Sequence, residues 1–321
     1  MKRVLVTGAA GFVGGHLIRR LAADPASAIF GVTRRARPST ASDGSTDAAC
    51  HWIVGDLLDP ALVDRAVAES RPDWVVHLAA QASVVTSWQD PAETWRNNTM
   101  PQISLLDSVA RHAPTARILI AGSSEEYGQV RLEDPPLAED APLRPTSPYA
   151  ASKVAQDYLG LQYHLGRNLD VRCVRPFNLL GPGQSDRFAI PSFARQIAEA
   201  EAGWREPIIR VGNLGARRDF TDVRDAVQAY ELLLESGRAG GVYNVGGGCV
   251  RSIQEILEVL CALASRDLKI QVDPARFRPA DATIVRSDCR KIREAVGWAP
   301  TTPIDRTLRD ILDEWRRRVA A

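Results

Sequence analysis

Tyr149 and Lys153 stand four residues apart in Ser147-Pro148-Tyr149-Ala150-Ala151-Ser152-Lys153. The Ser-Pro before the pair and the Ala-rich run after it predict a helix opening here, with both side chains on one face, one turn apart. An ammonium beside a phenol stabilises the phenolate, so the tyrosine can donate a proton near neutral pH. A serine from an adjacent strand end can hold the reacting oxygen, and Ser123, in Ala121-Gly122-Ser123-Ser124-Glu125-Glu126-Tyr127-Gly128, is the candidate. Tyrosine and lysine four apart recur by chance in helices, so the surrounding elements must carry the assignment.

Those elements begin at the N-terminus. Val4-Leu5-Val6-Thr7 reads as a strand, Gly8-Ala9-Ala10-Gly11-Phe12-Val13-Gly14 as a glycine loop, and the residues from Gly15 to Leu21 as an amphipathic helix. Glycines at 8, 11 and 14 allow a sharp turn and close approach of backbone to a pyrophosphate, while the helix start offers free N–H groups and a positive dipole end. Gly8, Gly11, Phe12 and Val13 are therefore expected to contact a dinucleotide. The next strand, Ile29-Phe30-Gly31-Val32, ends in Thr33-Arg34-Arg35, with no acid to bond a ribose 2′-hydroxyl. A guanidinium there suits a 2′-phosphate, which predicts NADP(H), preferred over NAD(H), with Arg34 and Arg35 as its partners. Residues 36 to 48 read as a surface loop.

A third strand from His51 to Leu57 would set Asp56 and Leu57 beside the adenine, and Asp59 would cap the following helix. A fourth, from Trp74 to Gln81, ends in Leu78, Ala79 and Ala80, whose two alanines are small enough to let a cofactor lie against the backbone; His77 within it reads as a packed strand histidine. A fifth, from Ala116 to Gly122, delivers Ser123, Ser124 and Glu125 at its C-terminal end, where open parallel sheets hold ligands. Strands alternating with helices predict an α/β fold, a Rossmann-type doubly wound parallel sheet.

Composition narrows the class further. The 321 residues are 45% hydrophobic and 25% charged, with 40 basic against 39 acidic side chains, so no overall field favours nucleic acid or an anionic membrane. Five cysteines with no CxxC, and no histidine at ligand spacing, argue against a disulfide framework or a structural metal and for a reducing compartment. With no signal-like segment or membrane-length apolar run, a cytoplasmic protein is expected.

Taken together, these segments resemble the extended short-chain dehydrogenase/reductases acting on nucleotide-sugars, nearly end to end. More narrowly, Arg175-Pro176-Phe177-Asn178-Leu179-Leu180-Gly181-Pro182-Gly183-Gln184, Ile209 to Leu214 and Arg218-Asp219-Phe220-Thr221-Asp222-Val223 are similar to GDP-4-keto-6-deoxy-D-mannose reductases, which form GDP-D-rhamnose. The resemblance implies a catalytic set of Ser123, Tyr149 and Lys153, hydride delivered to the sugar C4 ketone, and Lys153 also bonding the nicotinamide ribose. It implies Pro176 on the cofactor, Ser124 and Asn178 on the substrate, Arg218 and Arg278 on its diphosphate, and Asp281 on its nucleoside. The related GDP-mannose 4,6-dehydratases carry a Glu matching Glu125 as base, within a Thr-Ser-Glu-Leu-Tyr-Gly pattern where this chain has Ser123 and Glu126. Glu125 accordingly joins the catalytic candidates, and dehydratase, epimerase or a GDP-6-deoxy-D-talose-forming enzyme stand as alternatives. From another class, a non-catalytic NADP(H)-sensing scaffold remains, although it would need no proton donor.

Asn98 matches the family pattern and is expected to brace the region of Lys153; Pro101 departs from it. The expected organisation is a dinucleotide-binding domain over 1–175, rejoined by 219–246, and a smaller discontinuous nucleotide-sugar domain over 176–218 and 247–321. Helices are expected from Ile190 to Ala202, from Ile253 to Leu263 with Ser252 as cap, and at the surface from Leu308 to Val319. Arg217 and Arg224 read as structural. The resemblance also implies a homodimer through helices near 92–111 and 149–166.

Overall fold

The first strand alternates which face of the sheet it serves, and both faces are buried. In the computed structural model, which describes residues 1–35, 50–131, 133–276 and 284–320 (Cys249 by its backbone alone), Val4 and Val6 enter one core and Leu5 another. That strand, β1 (Lys2–Thr7), is central in a seven-stranded parallel sheet with β2 (Ser27–Thr33), β3 (Cys50–Val54), β4 (Trp74–His77), β5 (Arg117–Ala121), β6 (Asp170–Pro176) and β10 (Val242–Val245). The spatial order is β10-β6-β5-β4-β1-β2-β3. The chain runs outward from β1 to β3, then returns to lay β4 on the other side of β1. The crevice between the ends of β1 and β4 is the topological switch point, where such sheets hold ligands.

Helices α1 (Phe12–Leu21) and α7 (Val223–Ser236) pack on the face of Val4 and Val6, and α2 (Pro60–Ser70), α4 (Pro91–His112) and α5 (Pro148–Arg167) on the other, with the short α3 (Val84–Gln89) beside them. Asp59 caps α2 by accepting from the Ala61 N–H at 2.9 Å, as its position before Pro60 predicts. α4 runs on through Pro101.

The remaining elements build a second layer beyond the C-terminal end of the sheet. β7 (Asn178–Leu180), β9 (Arg217–Asp222) and β11 (Cys249–Ser252) form one small sheet, and β8 (Ile208–Val211) pairs with β12 (Lys269–Val272) in another. Around them α6 (Ala189–Glu201), α8 (Ile253–Ala262) and α10 (Ile304–Ala320) close a third core of Phe193, Ile197, Ile256, Leu260, Leu308 and Ile311. α9 (Arg290–Val296) joins the first core instead, through Ile292 and the nearby Trp298. Ser252 caps α8 in a capping box with Glu255. The C-terminal helix begins four residues earlier than the sequence suggests and buries Leu308, Ile311 and Leu312, so it is a core helix with one wet face. Val242–Val245 pairs with β6, so the glycines after it follow a returning sheet strand. Among the described residues, no helix is long and apolar enough to cross a membrane.

Candidate active site at the sheet edge

Because the central strands are parallel, their C-terminal ends line up, and most of the expected site residues follow one of those ends. Gly8 follows β1 at φ +68°, a left-handed conformation that glycine adopts without strain. A Cβ there would lie 2.8 Å from the Ala79 backbone nitrogen, so the loop after β1 and the end of β4 touch through bare backbone. Thr7 completes this junction, with its Oγ1 accepting from the Ala79 N–H at 3.3 Å. Leu78, Ala79 and Ala80 thereby line the switch point beside Gly8. Gly11 is the N-cap of α1 and offers no side-chain cap, which leaves the N–H groups of the first turn, at Phe12 and Val13, unclaimed by any capping side chain. Arg34 and Arg35 are exposed just past β2; just past β3, Asp56 is exposed and Leu57 is half-buried against the second core. A loop of bare amides, a dipole end and two exposed guanidiniums beyond the neighbouring strand suit a dinucleotide carrying an extra phosphate.

The reacting groups lie across the crevice. Ser123 follows β5 and caps a short 3₁₀ turn over Ser124–Tyr127, its Oγ accepting from the Glu125 N–H at 3.2 Å. Ser147 caps α5 by accepting from the Ala150 N–H at 3.0 Å, and Pro148 starts the helix, so Tyr149 and Lys153 share its first two turns. Both are buried, at 8% and 4% exposure. Burial pushes the Tyr149 phenol above the usual tyrosine range; a hydrogen bond with the Ser123 side chain opposes this, and the charges of Glu125 and Glu126 add to it. The Ser123 hydroxyl and the Tyr149 phenol therefore meet, within the field of the Glu125 and Glu126 charges. Lys153 donates to the Ala121 carbonyl at 2.7 Å, and burial lowers its pKa to about 8 against the pull of Glu126 and Asp157. Its hydrogen bond thus goes to the end of β5, not to the phenol.

Asn98 is fully buried and ties two of these elements together. It accepts from the Gln81 N–H at 2.7 Å and donates to Ser152 Oγ at 2.8 Å, and Ser152 in turn donates to the Tyr149 carbonyl at 2.7 Å. Its support for Lys153 runs through the neighbouring Ser152 and the helix backbone. His77 is buried and kept neutral, its pKa lowered to about 3 by burial and then by Lys153, and it shares a 2.8 Å hydrogen bond with Thr7. This fits the packed strand histidine expected from sequence.

Pro176 ends β6, and Asn178 starts β7 with its Nδ2 donating to the Asp219 carbonyl at 3.4 Å. Arg218 lies on β9 in the second layer, its Nη1 donating to the Arg217 carbonyl at 2.9 Å, while Ser124 is half-buried beside Ser123. Arg217 pairs with Glu255, and Arg224 with Asp222 and Asp310, in keeping with structural roles. The expected substrate partners Arg278 and Asp281, and the loop 36–48, lie outside the described residues.

Sequence reasoning missed a buried charged cluster under the site. Arg175 Nε donates to Glu126 Oε2 at 3.0 Å and to Asp157 Oδ2 at 2.8 Å, and its Nη1 to the Tyr127 hydroxyl at 3.1 Å. Two signals were available. Ser123-x-x-Glu126 has capping-box spacing, and Asp157 lies one turn past Lys153 on α5.

This sheet, its glycine loop at the switch point and the Tyr149–Lys153 helix define an extended short-chain dehydrogenase/reductase, an NAD(P)-dependent oxidoreductase fold for nucleotide-sugars. Within that class the chain belongs to the GDP-mannose 4,6-dehydratase family, whose model matches residues 5–311. It is 37% identical over 319 residues to the GDP-6-deoxy-D-mannose reductase of Pseudomonas aeruginosa, covering 99% of this chain and 98% of that one. A dTDP-glucose 4,6-dehydratase of Streptomyces griseus is 33% identical over 94% of this chain and 90% of its own. Among solved structures, RMD from Pseudomonas aeruginosa complexed with NADPH superimposes with a TM-score of 0.87 at 36% identity, covering 99% of this chain and all of that one.

Proposed function

We propose that the protein is a reductase that uses NADPH to convert the C4 ketone of GDP-4-dehydro-6-deoxy-D-mannose to the alcohol of GDP-D-rhamnose. The observation that carries this reading is the convergence of Ser123, the Tyr149 phenol and Lys153 beside a glycine loop at the switch point. The likeness to a GDP-6-deoxy-D-mannose reductase supplies the substrate class. Gly8, Gly11, Phe12 and Val13 would hold the pyrophosphate, Arg34 and Arg35 the 2′-phosphate, Asp56 and Leu57 the adenosine, and Leu78, Ala79, Ala80 and Pro176 the remainder. When bound, NADPH supplies the hydride.

The chain's own groups supply the rest. Tyr149 gives its proton to the oxygen that becomes negative as the ketone is reduced, and a buried phenol that holds its proton firmly is protonated at the start of every cycle. Ser123 hydrogen-bonds the same oxygen, worth most where charge develops in a dry site. Lys153, as an ammonium, offsets the phenolate that remains, and with NADPH bound it would be the group to hold the nicotinamide ribose. Ser124, Asn178, Arg218, Arg278 and Asp281 would grip the nucleotide-sugar. Residues 1–175 with 219–246 would form the dinucleotide-binding domain, and 176–218 with 247–321 the nucleotide-sugar domain, except that β9 runs on through Asp222 in the second-layer sheet and α9 packs with the first core. A homodimer through α4 and α5 is supported by the exposed Trp95, Met100, Tyr158 and Leu165 on those helices, while their Leu105, Leu106, Val109 and Tyr163 pack inside the monomer. Residence in the cytoplasm agrees with free thiols at Cys50, Cys173, Cys261 and Cys289.

The decisive assay supplies GDP-4-keto-6-deoxy-D-mannose generated in place, follows NADPH and NADH oxidation, and assigns the product at C4 by NMR. Stoichiometric oxidation to a single GDP-D-rhamnose product is expected. Consumption of GDP-mannose without net oxidation would overturn the reading in favour of a dehydratase with Glu125 as base.

Two narrower outcomes follow from the site. Replacing Arg34 and Arg35 together by Ala should lower kcat/KM for NADPH by roughly ten- to a hundredfold, the range for lost charged hydrogen bonds, and leave NADH within about threefold. Equal losses with both cofactors would remove the 2′-phosphate assignment. The second outcome concerns pH. Lys153 is an ammonium below about 8 and loses its charge as pH rises through that value, so kcat/KM should fall on the alkaline side of about 8. A flat profile from 7 to 10 would show that the charge on Lys153 is not needed.

A further inference from the structure

Glu126 is fully buried, and both of its oxygens are engaged. Oε1 accepts from the Ser123 N–H at 2.7 Å, and Oε2 meets Arg175 Nε at 3.0 Å. Asp157, 3% exposed, meets the same Nε through Oδ2 at 2.8 Å. One guanidinium nitrogen therefore serves two carboxyl groups. The other oxygen of Asp157, Oδ1, is buried with no donor among the described residues. The two carboxyls converge over the backbone of Gly122, where a Cβ would lie 2.4 Å from Glu126 Oε1 and 2.9 Å from Asp157 Oδ1. One guanidinium balances one of two buried carboxylate charges, and a proton held between the pair removes the other. Lys153, the nearest other cation, spends its hydrogen bond on Ala121.

We propose that Glu126 is a positioning residue: its carboxyl shares one proton with Asp157 Oδ1, and the pair, balanced by Arg175, holds the Ser123 backbone and the end of β5 to which Lys153 is bound. Glu126 sits in the 3₁₀ turn that Ser123 opens, Asp157 on α5 one turn past Lys153, and Arg175 on β6, so one proton joins the three elements that carry the reacting groups. The titratable groups that act on the pair or feel it are Lys153 and Tyr149 from α5 and Arg175 and Cys173 from β6, with Tyr127 and Asn244 reached through Arg175 and the Tyr127 hydroxyl. Burial first, and the Asp157 charge second, push Glu126 well above the usual carboxyl range, in keeping with the shared proton.

The proposal rests on the reductase reading for its kinetic test but not for its spectroscopic one. In Glu126→Gln the amide oxygen still accepts from Ser123 and the amide nitrogen can donate to Asp157, at the loss of the oxygen that accepts from Arg175, whereas Glu126→Leu fills a similar volume with none of these groups. With NADPH and the 4-keto sugar, Glu126→Leu should lose about a hundredfold in kcat, the scale set by a small misplacement of a reacting group, with KM for NADPH changing far less. Glu126→Gln should recover part of that loss, since it keeps the bond to Ser123 and a donor toward Asp157 but not the acceptor for Arg175. Infrared spectra of the wild type at neutral pH should carry the C=O stretch of a protonated, buried carboxyl, and Glu126→Gln should lack it. The proposal is overturned if the band is absent from the wild type, if Glu126→Gln is as impaired as Glu126→Leu, or if Glu126→Leu keeps full kcat. Because the band needs no substrate, its presence in a protein that reduces no ketone would separate failure of the reductase reading from failure of the carboxyl pair.

Discussion

Replacing Tyr149 by Phe is expected to lower kcat by about 10³-fold, within the range for removing a general acid, while KM for the sugar and the affinity for NADPH stay within about threefold. Phenylalanine fills the same buried volume on the first turn of α5, so Ser147 still caps the helix and Ser152 still bonds the residue's backbone carbonyl. The hydroxyl is the group that can deliver a proton where it meets Ser123. Its contribution to folding is one hydrogen bond, about 1 kcal/mol, so the variant should unfold within a few degrees of the parent. Steady-state rates with the 4-keto sugar, alongside NADPH fluorescence titration of the same preparation, separate the two effects. Turnover within tenfold of the parent would show that another group donates the proton.

Gly14→Ala should cost about 3 kcal/mol or more of stability, at the upper end of overpacking, and weaken cofactor binding with it. Gly14 lies where α1 presses on the loop that precedes it. An added Cβ would sit 2.3 Å from the Gly8 carbonyl oxygen, 2.7 Å from that of Ala9 and 2.8 Å from Ala9 Cα. All three are backbone atoms with no rotamer to turn, so either α1 lifts from β1 or the loop opens. Lifting α1 would draw Leu17, Ile18 and Leu21 out of the first core, and opening the loop would misdirect the amides of its first turn. The neighbour is the control. A Cβ on Gly15 meets nothing within 4 Å, so Gly15→Ala should stabilise by about 0.5–1 kcal/mol through helix propensity alone. Denaturant unfolding of both variants tests the contrast, and equal stabilities would refute the close packing of the glycine loop.

Much of this molecule is local, and local features are legible in a sequence. A glycine loop between a Val-rich strand and a helix, a Ser-Pro start to the helix bearing Tyr149 and Lys153, and Asp59 and Ser252 before apolar runs each act over a few residues. Alternating strands and helices were enough to read the doubly wound sheet, because a parallel sheet needs a crossover of that length. They were enough, too, to put Ser123 at a strand end.

Other features depend on residues far apart in the chain. Arg175 is 49 residues from Glu126 and 18 from Asp157, and only the pairing of β5 with β6 brings the three together beneath Ser123. In sequence, Glu126 is one more charge in a polar turn; in the fold it is wholly dry, and dryness turns two carboxyls and a guanidinium into a proton-sharing pair. Distance along the chain also hid how Lys153 is held, since the carbonyl it bonds lies 32 residues before it. The C-terminal helix carries the same lesson. Its basic end reads as surface, yet α10 packs its apolar side onto α6 and α8, and those contacts decide which side of α10 is buried. Propensity and capping thus determined where elements start and which side chains they carry, while the dielectric around each group, and so its protonation and its work, was set by which elements the tertiary fold stacked against it.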